Sequence, residues 1–230
     1  MRRKNKNGGY YNIDSSLKFK ITEAYKTIRT NIAFSVIKKG CRKIIISSSC
    51  PSEGKSTMSV NVAVSMAQTE AKVLLIDADL RRPKVHRFLS INNAPGLTNY
   101  LSSMNSLEDV VRETPYPNLK VITAGSLAPN PSEMLSSEQF KDLLSEMEKQ
   151  FDYIIIDSTP LNVVADALPL IKLCDGVILV VREKVSTYTE LETTIKKLDL
   201  IDAKILGFIY NGMATSRHSY YSYKDNYGAN

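Results

Sequence analysis

Between Lys43 and Gly212, six short runs rich in isoleucine and valine punctuate the chain: KIIISSS, KVLLIDAD, NLKVITAG, YIIIDS, GVILVV and KILGFIY. Each is apolar at consecutive rather than alternate positions, the pattern of strands covered on both faces, as buried parallel strands are. Between the runs lie stretches of helical spacing, Ser56 to Gln68, Ser137 to Gln150, Val163 to Leu173 and Thr187 to Leu200, long enough for crossover helices. This alternation predicts an α/β fold with a doubly wound, mostly parallel sheet flanked by helices. Ahead of the first strand, Ile21, Tyr25, Ile28, Ile32 and Val36 recur every three or four residues and predict an amphipathic helix. Glu23, Lys26 and Arg29 fall elsewhere around it. Packing on the sheet explains the stripe; contact with a neighbouring subunit is the sharper expectation.

At 230 residues, 43% hydrophobic and 23% charged, the chain fits one domain with modest appendages. We expect a flexible, basic arm over 1–14, a folded domain over 15–214 and a flexible tail over 215–230. No apolar run approaches the roughly 20 residues of a membrane helix, and no signal-peptide core follows the basic start, so a cytoplasmic protein is expected. Three cysteines without CxxC spacing argue against a disulfide framework or a zinc or iron–sulfur site. The formal net charge of +6 leaves open an anionic partner or a solvated basic surface.

One strand exit carries chemistry. In KIIISSSCPSEGKSTMSVNVAVSMA, a buried strand runs into Ser49-Cys50-Pro51-Ser52-Glu53-Gly54-Lys55-Ser56, and a helix follows. The spacing is G-x-x-x-x-G-K-[ST] with Ser49 in place of the first glycine, tolerable if that position avoids positive φ. Such a loop aims backbone N–H groups and a helix N-terminus at phosphates. Ser49 to Thr57 are therefore candidate nucleotide-binding residues: Gly54 for close approach, Lys55 for charge, Ser56 for Mg²⁺. The predicted fold is accordingly of the P-loop NTPase kind.

A metal at such a loop needs acidic oxygens from neighbouring strand ends. KVLLIDADLRRP closes on Asp77 and Asp79, and FDYIIIDSTP on Asp157. Asp157 has the position of a Walker B carboxylate holding Mg²⁺. Asp77 and Asp79 also fit a simpler role, capping the next segment or pairing with Arg81 or Arg82. Asn211, just past the last strand, could meet a purine edge or only make the turn of an Asn-Gly pair.

The combination of PSEGKS, LLIDADLRRP, YIIIDSTP and a terminal tyrosine cluster resembles the bacterial tyrosine kinases of capsule and exopolysaccharide synthesis, in their separate cytoplasmic-subunit form. The resemblance covers about residues 15–230. It implies an ATP-dependent protein-tyrosine kinase that regulates capsular polysaccharide synthesis, using ATP and Mg²⁺. It assigns Mg²⁺ to Ser56, Asp157 and possible partner Asp77, assigns removal of the tyrosine proton to Asp77, and gives Asp79 a supporting part. It makes Tyr220, Tyr221, Tyr223 and Tyr227 the autophosphorylation sites, presented to a neighbouring subunit. It further implies a homo-oligomeric ring, a separate transmembrane activator that recruits the chain to the inner face of the plasma membrane, a protein-tyrosine phosphatase, and sugar-nucleotide enzymes as substrates, with no nucleic-acid partner. The family's contact helix reads Glu-x-x-Arg-x-x-Arg, whereas this chain has Glu23, Lys26 and Arg29, so the middle position keeps its charge without the planar fork.

The alternative is an ATPase switch similar to the division-site and partition proteins, without kinase activity. Those proteins carry a signature lysine at the second loop position, where this chain has Cys50. Iron–sulfur carriers on the same scaffold would need paired cysteines.

Overall fold

The structure, a computed structural model, describes residues 15–213, with side chains from residue 19 onward. The expected arm over 1–14 and the tyrosines Tyr220, Tyr221, Tyr223 and Tyr227 lie outside the described residues. In chain order the elements are α1 (Ser15–Ser35), β1 (Arg42–Ser48), α2 (Lys55–Ala67), β2 (Val73–Asp77), α3 (Val85–Leu89), α4 (Leu97–Leu101), α5 (Leu107–Val110), β3 (Arg112–Glu113), β4 (Leu119–Ile122), α6 (Pro131–Ser136), α7 (Glu138–Met147), β5 (Tyr153–Asp157), α8 (Ala167–Ile171), β6 (Gly176–Arg182), α9 (Tyr188–Asp199) and β7 (Ile205–Asn211).

The strands form one sheet in the order β3-β4-β2-β5-β1-β6-β7. All pairs are parallel except β3 with β4. Parallel pairing brings the C-terminal ends of β2, β5, β1, β6 and β7 to one edge, and that edge carries the site. Alternate residues of β1 go to opposite faces, as a strand's period of two requires. Ile44 and Ile46 pack with Ile32 and Val36 and with Met58, Val62 and Met66 of α2. Ile45 packs with Phe140, Leu143 and Leu144 of α7, Leu170 of α8 and Leu198. Burying each such side chain contributes about 1.5–3 kcal/mol, which is why the strands read as continuous apolar runs.

The N-terminal stripe behaves as an amphipathic face should: Ile32 and Val36 are buried, while Ile21 at the outer end is 42% exposed. Two of the crossover helices begin at hydroxyl caps. Ser137 accepts from Phe140 N, and Thr187 accepts from Glu190 N. The expected helix from Val163 to Leu173 contracts to Ala167–Ile171. Just ahead of it, the N–H groups of Leu161 and Asn162 bond the carbonyls of Ser48 and Ser49, stitching the β5 exit to the end of β1. The stretch between β2 and β4 holds α3, α4, α5 and β3, elements too short to leave a periodic signature.

Candidate active site

β1 delivers the loop, and the loop's shape follows from its residues. Ser52 and Gly54 have φ of 69° and 99°, whereas Ser49 is not among the residues with positive φ, so serine is unstrained in the first loop position. The positive φ favours glycine here, and a Cβ on Gly54 would lie 2.4 Å from Nδ2 of Asn211 and displace that side chain from Glu53 O. No side chain caps α2 at its N-terminus, leaving its first N–H groups to face an anion.

The loop is braced from β6 and β7. Arg182 donates to Ser52 O at 2.7 Å, and Asn211 donates through Nδ2 to Glu53 O at 2.9 Å. Glu53 is 1% exposed; its carboxylate accepts from Cys50 N at 2.8 Å and from the Ser186 hydroxyl. Thr194 donates to the Ser49 hydroxyl at 2.9 Å. Burial, then a hydrogen bond to Glu190, pushes the Cys50 thiol up to about 11, so it remains protonated at neutral pH.

β2 and β5 deliver the acids. Asp77 and Asp157 are register partners on these adjacent strands, and both are fully buried. Lys55 Nζ lies 2.6 Å from Asp79 Oδ2. Burial alone would lower the Lys55 pKa, but the charges of Asp157 and Asp79 outweigh it and hold the ammonium protonated. Burial, followed by the charge of Asp157, raises the Asp77 carboxyl to about 8. Burial also raises Asp157, against the opposing pull of Lys55. Ser59 donates to Asp157 Oδ1 at 3.0 Å, while Asp157 Oδ2 is buried without a partner.

The acids divide by exposure to ligand. A cleft of ≈ 640 Å³ is lined by Pro51, Ser52, Gly54, Lys55, Ser56 and Thr57 of the loop, by Asp79, and by side chains from the β2 and β5 exits. Asp79 faces this cleft and also accepts from Arg82 N. Asp77, expected to take a phenolic proton, lies behind it and accepts from the N–H groups of Asp79, Lys84 and Val85. Arg81 pairs with neither of them; its guanidinium grips Asp166 at 2.5 and 3.1 Å.

Ser56, Asp157 and Asp77 could hold a divalent cation. The orphaned Oδ2 of Asp157 is a ready acceptor for one. Among the described residues no three carboxylate, imidazole or thiol groups form a ready metal cluster. Mg²⁺ would ask for no larger set than Ser56, Asp157 and Asp77, since it keeps waters and uses one or two carboxylates beside phosphate oxygens. On the outer helix, Lys26 pairs with Glu23 at 2.7 Å, and Arg29 donates to Ser65 O at 2.8 Å within the chain.

Sequence reasoning missed the braces Arg182 and Ser186, the Asp157 partner Ser59 and the Arg81 partner Asp166. Arg182, a cation at a strand's C-terminal end, carried a usable signal. Asp166 carried none.

Comparison with known proteins decides the family. A family model described as an AAA domain matches residues 41–207. The tyrosine-protein kinase YwqD of Bacillus subtilis is 42% identical over 212 residues, covering 90% of this chain and 88% of that protein. The chain belongs to the bacterial tyrosine-protein kinases. Solved structures of these kinases superpose closely. The kinase domain of the Escherichia coli tyrosine kinase ETK matches with a TM-score of 0.84 and 30% identity, over 94% of this chain and 85% of that one. The chimerical protein CapA2B2 matches with a TM-score of 0.81 and 31% identity, over 89% and 88%. The P-loop fold and the family expected from the motifs are both found.

Proposed function

We propose that this tyrosine kinase transfers the γ-phosphoryl group of ATP to its own C-terminal tyrosines, through the loop from Ser49 to Thr57 and the acids of β2 and β5. The observation that carries this reading is the meeting of Lys55 and Asp79 in a cleft backed by Asp77 and Asp157.

In this reading Ser56, Asp157 and Asp77 would hold Mg²⁺, which would supply charge neutralisation on the phosphates. Lys55 exchanges Asp79 for phosphate oxygens, and the exchange frees the Asp79 carboxylate at the cleft surface. The tyrosine oxygen then forms its bond to the γ-phosphorus, the bond to the β,γ-bridging oxygen breaks, and ADP leaves. Asp79 takes the phenolic proton. A phenol has a pKa near 10, so a carboxylate within reach orients it and accepts the proton as charge develops. Burial and backbone N–H bonds favour Asp77 as the cation's partner over the expected role as base. Asn211 serves the loop through Nδ2 and keeps its carbonyl oxygen for the nucleotide base.

The family resemblance further supports ring assembly through the helix bearing Glu23, Lys26 and Arg29. It supports a separate transmembrane activator at the inner face of the plasma membrane, reversal by a protein-tyrosine phosphatase, and sugar-nucleotide enzymes as further substrates in capsule synthesis. Among the described residues no helix is long and apolar enough to cross a membrane.

The test separates binding from transfer. Asp79→Asn should retain affinity for Mg²⁺ and nucleotide while phosphotyrosine formation falls by about a hundredfold or more. Asp77→Asn should weaken that affinity itself. The reverse assignment of these two outcomes would return the proton to Asp77.

A further inference from the structure

From the phosphate loop the cleft continues to the exits of β2 and β5. Along the site edge the strand ends run β2, β5, β1, β6, β7. Neighbouring strands lie about 4.8 Å apart, so the β2 exit is about 10 Å from the loop after β1. Arg182 and Asn211 lie on the other side of that loop. If the base end of the nucleotide lies with Asn211, the transferable phosphate points towards β2, and an acceptor enters there.

That entrance has a definite chemistry. Arg82, Lys84 and Phe88 line it, with Pro160 and Val163 contributed from the β5 exit. Phe88 is 47% exposed and Val163 56%, giving apolar surface for an aromatic ring. Arg82 and Lys84 are exposed, and their backbone N–H groups bond Asp79 and Asp77. Their charged ends have no partner among the described residues. A neutral phenol does not call for two cations; an anion a short distance along the same peptide does.

The geometry points to a subsite in which Arg82 and Lys84 bind a phosphotyrosine next to the acceptor tyrosine, on the tail of a second copy of this chain. This rests on the kinase reading above and names the substrate that its cleft prefers. Before modification the tail offers little attraction: over residues 220–230 the side-chain charges are Lys224 and Asp225, which cancel. One phosphotyrosine adds about −1.5 to −2 charges. Arginine can bind it through a planar fork, and lysine adds a point charge. Tyr221 and Tyr223 are two residues apart, about 7 Å in an extended chain, so one can lie over the acceptor position while the other reaches the cations. The first phosphorylation is then slow, and each one speeds the next.

The test uses the full chain with Tyr220, Tyr221, Tyr223 and Tyr227 changed to phenylalanine, so that its own tail does not compete. The substrates are two synthetic peptides spanning residues 218–230, one unmodified and one with phosphotyrosine at Tyr221. We expect kcat/KM for the phosphopeptide to exceed that for the unmodified peptide by about tenfold, the size of one hydrogen-bonded charge pair. Arg82→Gln with Lys84→Gln, which keeps both backbone N–H bonds, should bring the ratio of the two kcat/KM values to about one. Equal kcat/KM for both peptides overturns the inference and leaves the kinase reading intact. A preference that survives the double substitution also overturns it. Phosphorylation of neither peptide, with the activator's cytoplasmic segment present, would instead remove the kinase reading.

Discussion

At the scale of the residue, the decisive feature is one buried ammonium among three buried acids. The ion pair with Asp79 gives Lys55 a part in the fold as well as in holding phosphate. Removing one partner from a buried pair costs about 3 kcal/mol or more where the remaining charge cannot neutralise itself. We therefore expect Lys55→Met to abolish transfer and to lower Tm, more at pH 8 than at pH 6, because the Asp77 carboxyl, raised to about 8, can take up a proton at the lower pH. A thermal melt at the two pH values checks this.

Asp77 gives the complementary signature. Its carboxyl has a folded pKa of about 8, above the ordinary carboxylate value. The folded state therefore holds a proton that the unfolded chain has released. This contribution to stability is complete below about pH 4 and is lost as pH rises through 8. Without nucleotide, Tm should fall as pH rises from about 6 to 8.5, and Asp77→Asn should flatten the fall. An unchanged slope in the variant would mean that Asp77 does not carry the effect.

At the scale of the element, the loop is held as much by its neighbours as by its own sequence. Gly54 combines a φ of 99° with the close approach of Asn211, so Gly54→Ala should lower nucleotide affinity at least about tenfold. Asn211→Ala should cost about 1 kcal/mol of stability by removing the bond to Glu53 O and should weaken nucleotide binding as well. Calorimetric titration with ADP and Mg²⁺ reads the loss of affinity in each variant, and a denaturant melt reads the stability of Asn211→Ala. The strands and the loop were legible because their signals are local: apolar runs such as KIIIS, and one glycine and one lysine at fixed spacing. The bonds that tie Leu161 and Asn162 to Ser48 and Ser49 were not, since they join residues more than a hundred positions apart. Nor were α3 to α5, whose few residues leave no helical period to detect.

At the scale of the whole molecule, one sheet edge collects Ser49 to Thr57, Asp77, Asp79, Asp157 and Asn211, which the sequence could group because parallel strands end together. It could not pair Arg81 with Asp166, because nothing local links residues 85 positions apart. Nor could it foresee that Arg29 bonds Ser65 within the chain, which leaves less of the proposed ring contact available on that helix. If phosphorylated tails repel within a ring, light scattering should show a smaller assembly after incubation with ATP than before. An assembly of unchanged mass would reject that form of regulation.

Transfer of phosphate from ATP to the terminal tyrosines is read most plainly in the intact mass of the purified full chain after incubation with ATP, Mg²⁺ and the activator's cytoplasmic segment, with fragment masses locating each addition. We expect successive single-phosphate additions confined to Tyr220, Tyr221, Tyr223 and Tyr227, and none in Lys55→Met. ATP hydrolysis with every tail tyrosine unmodified would contradict this expectation.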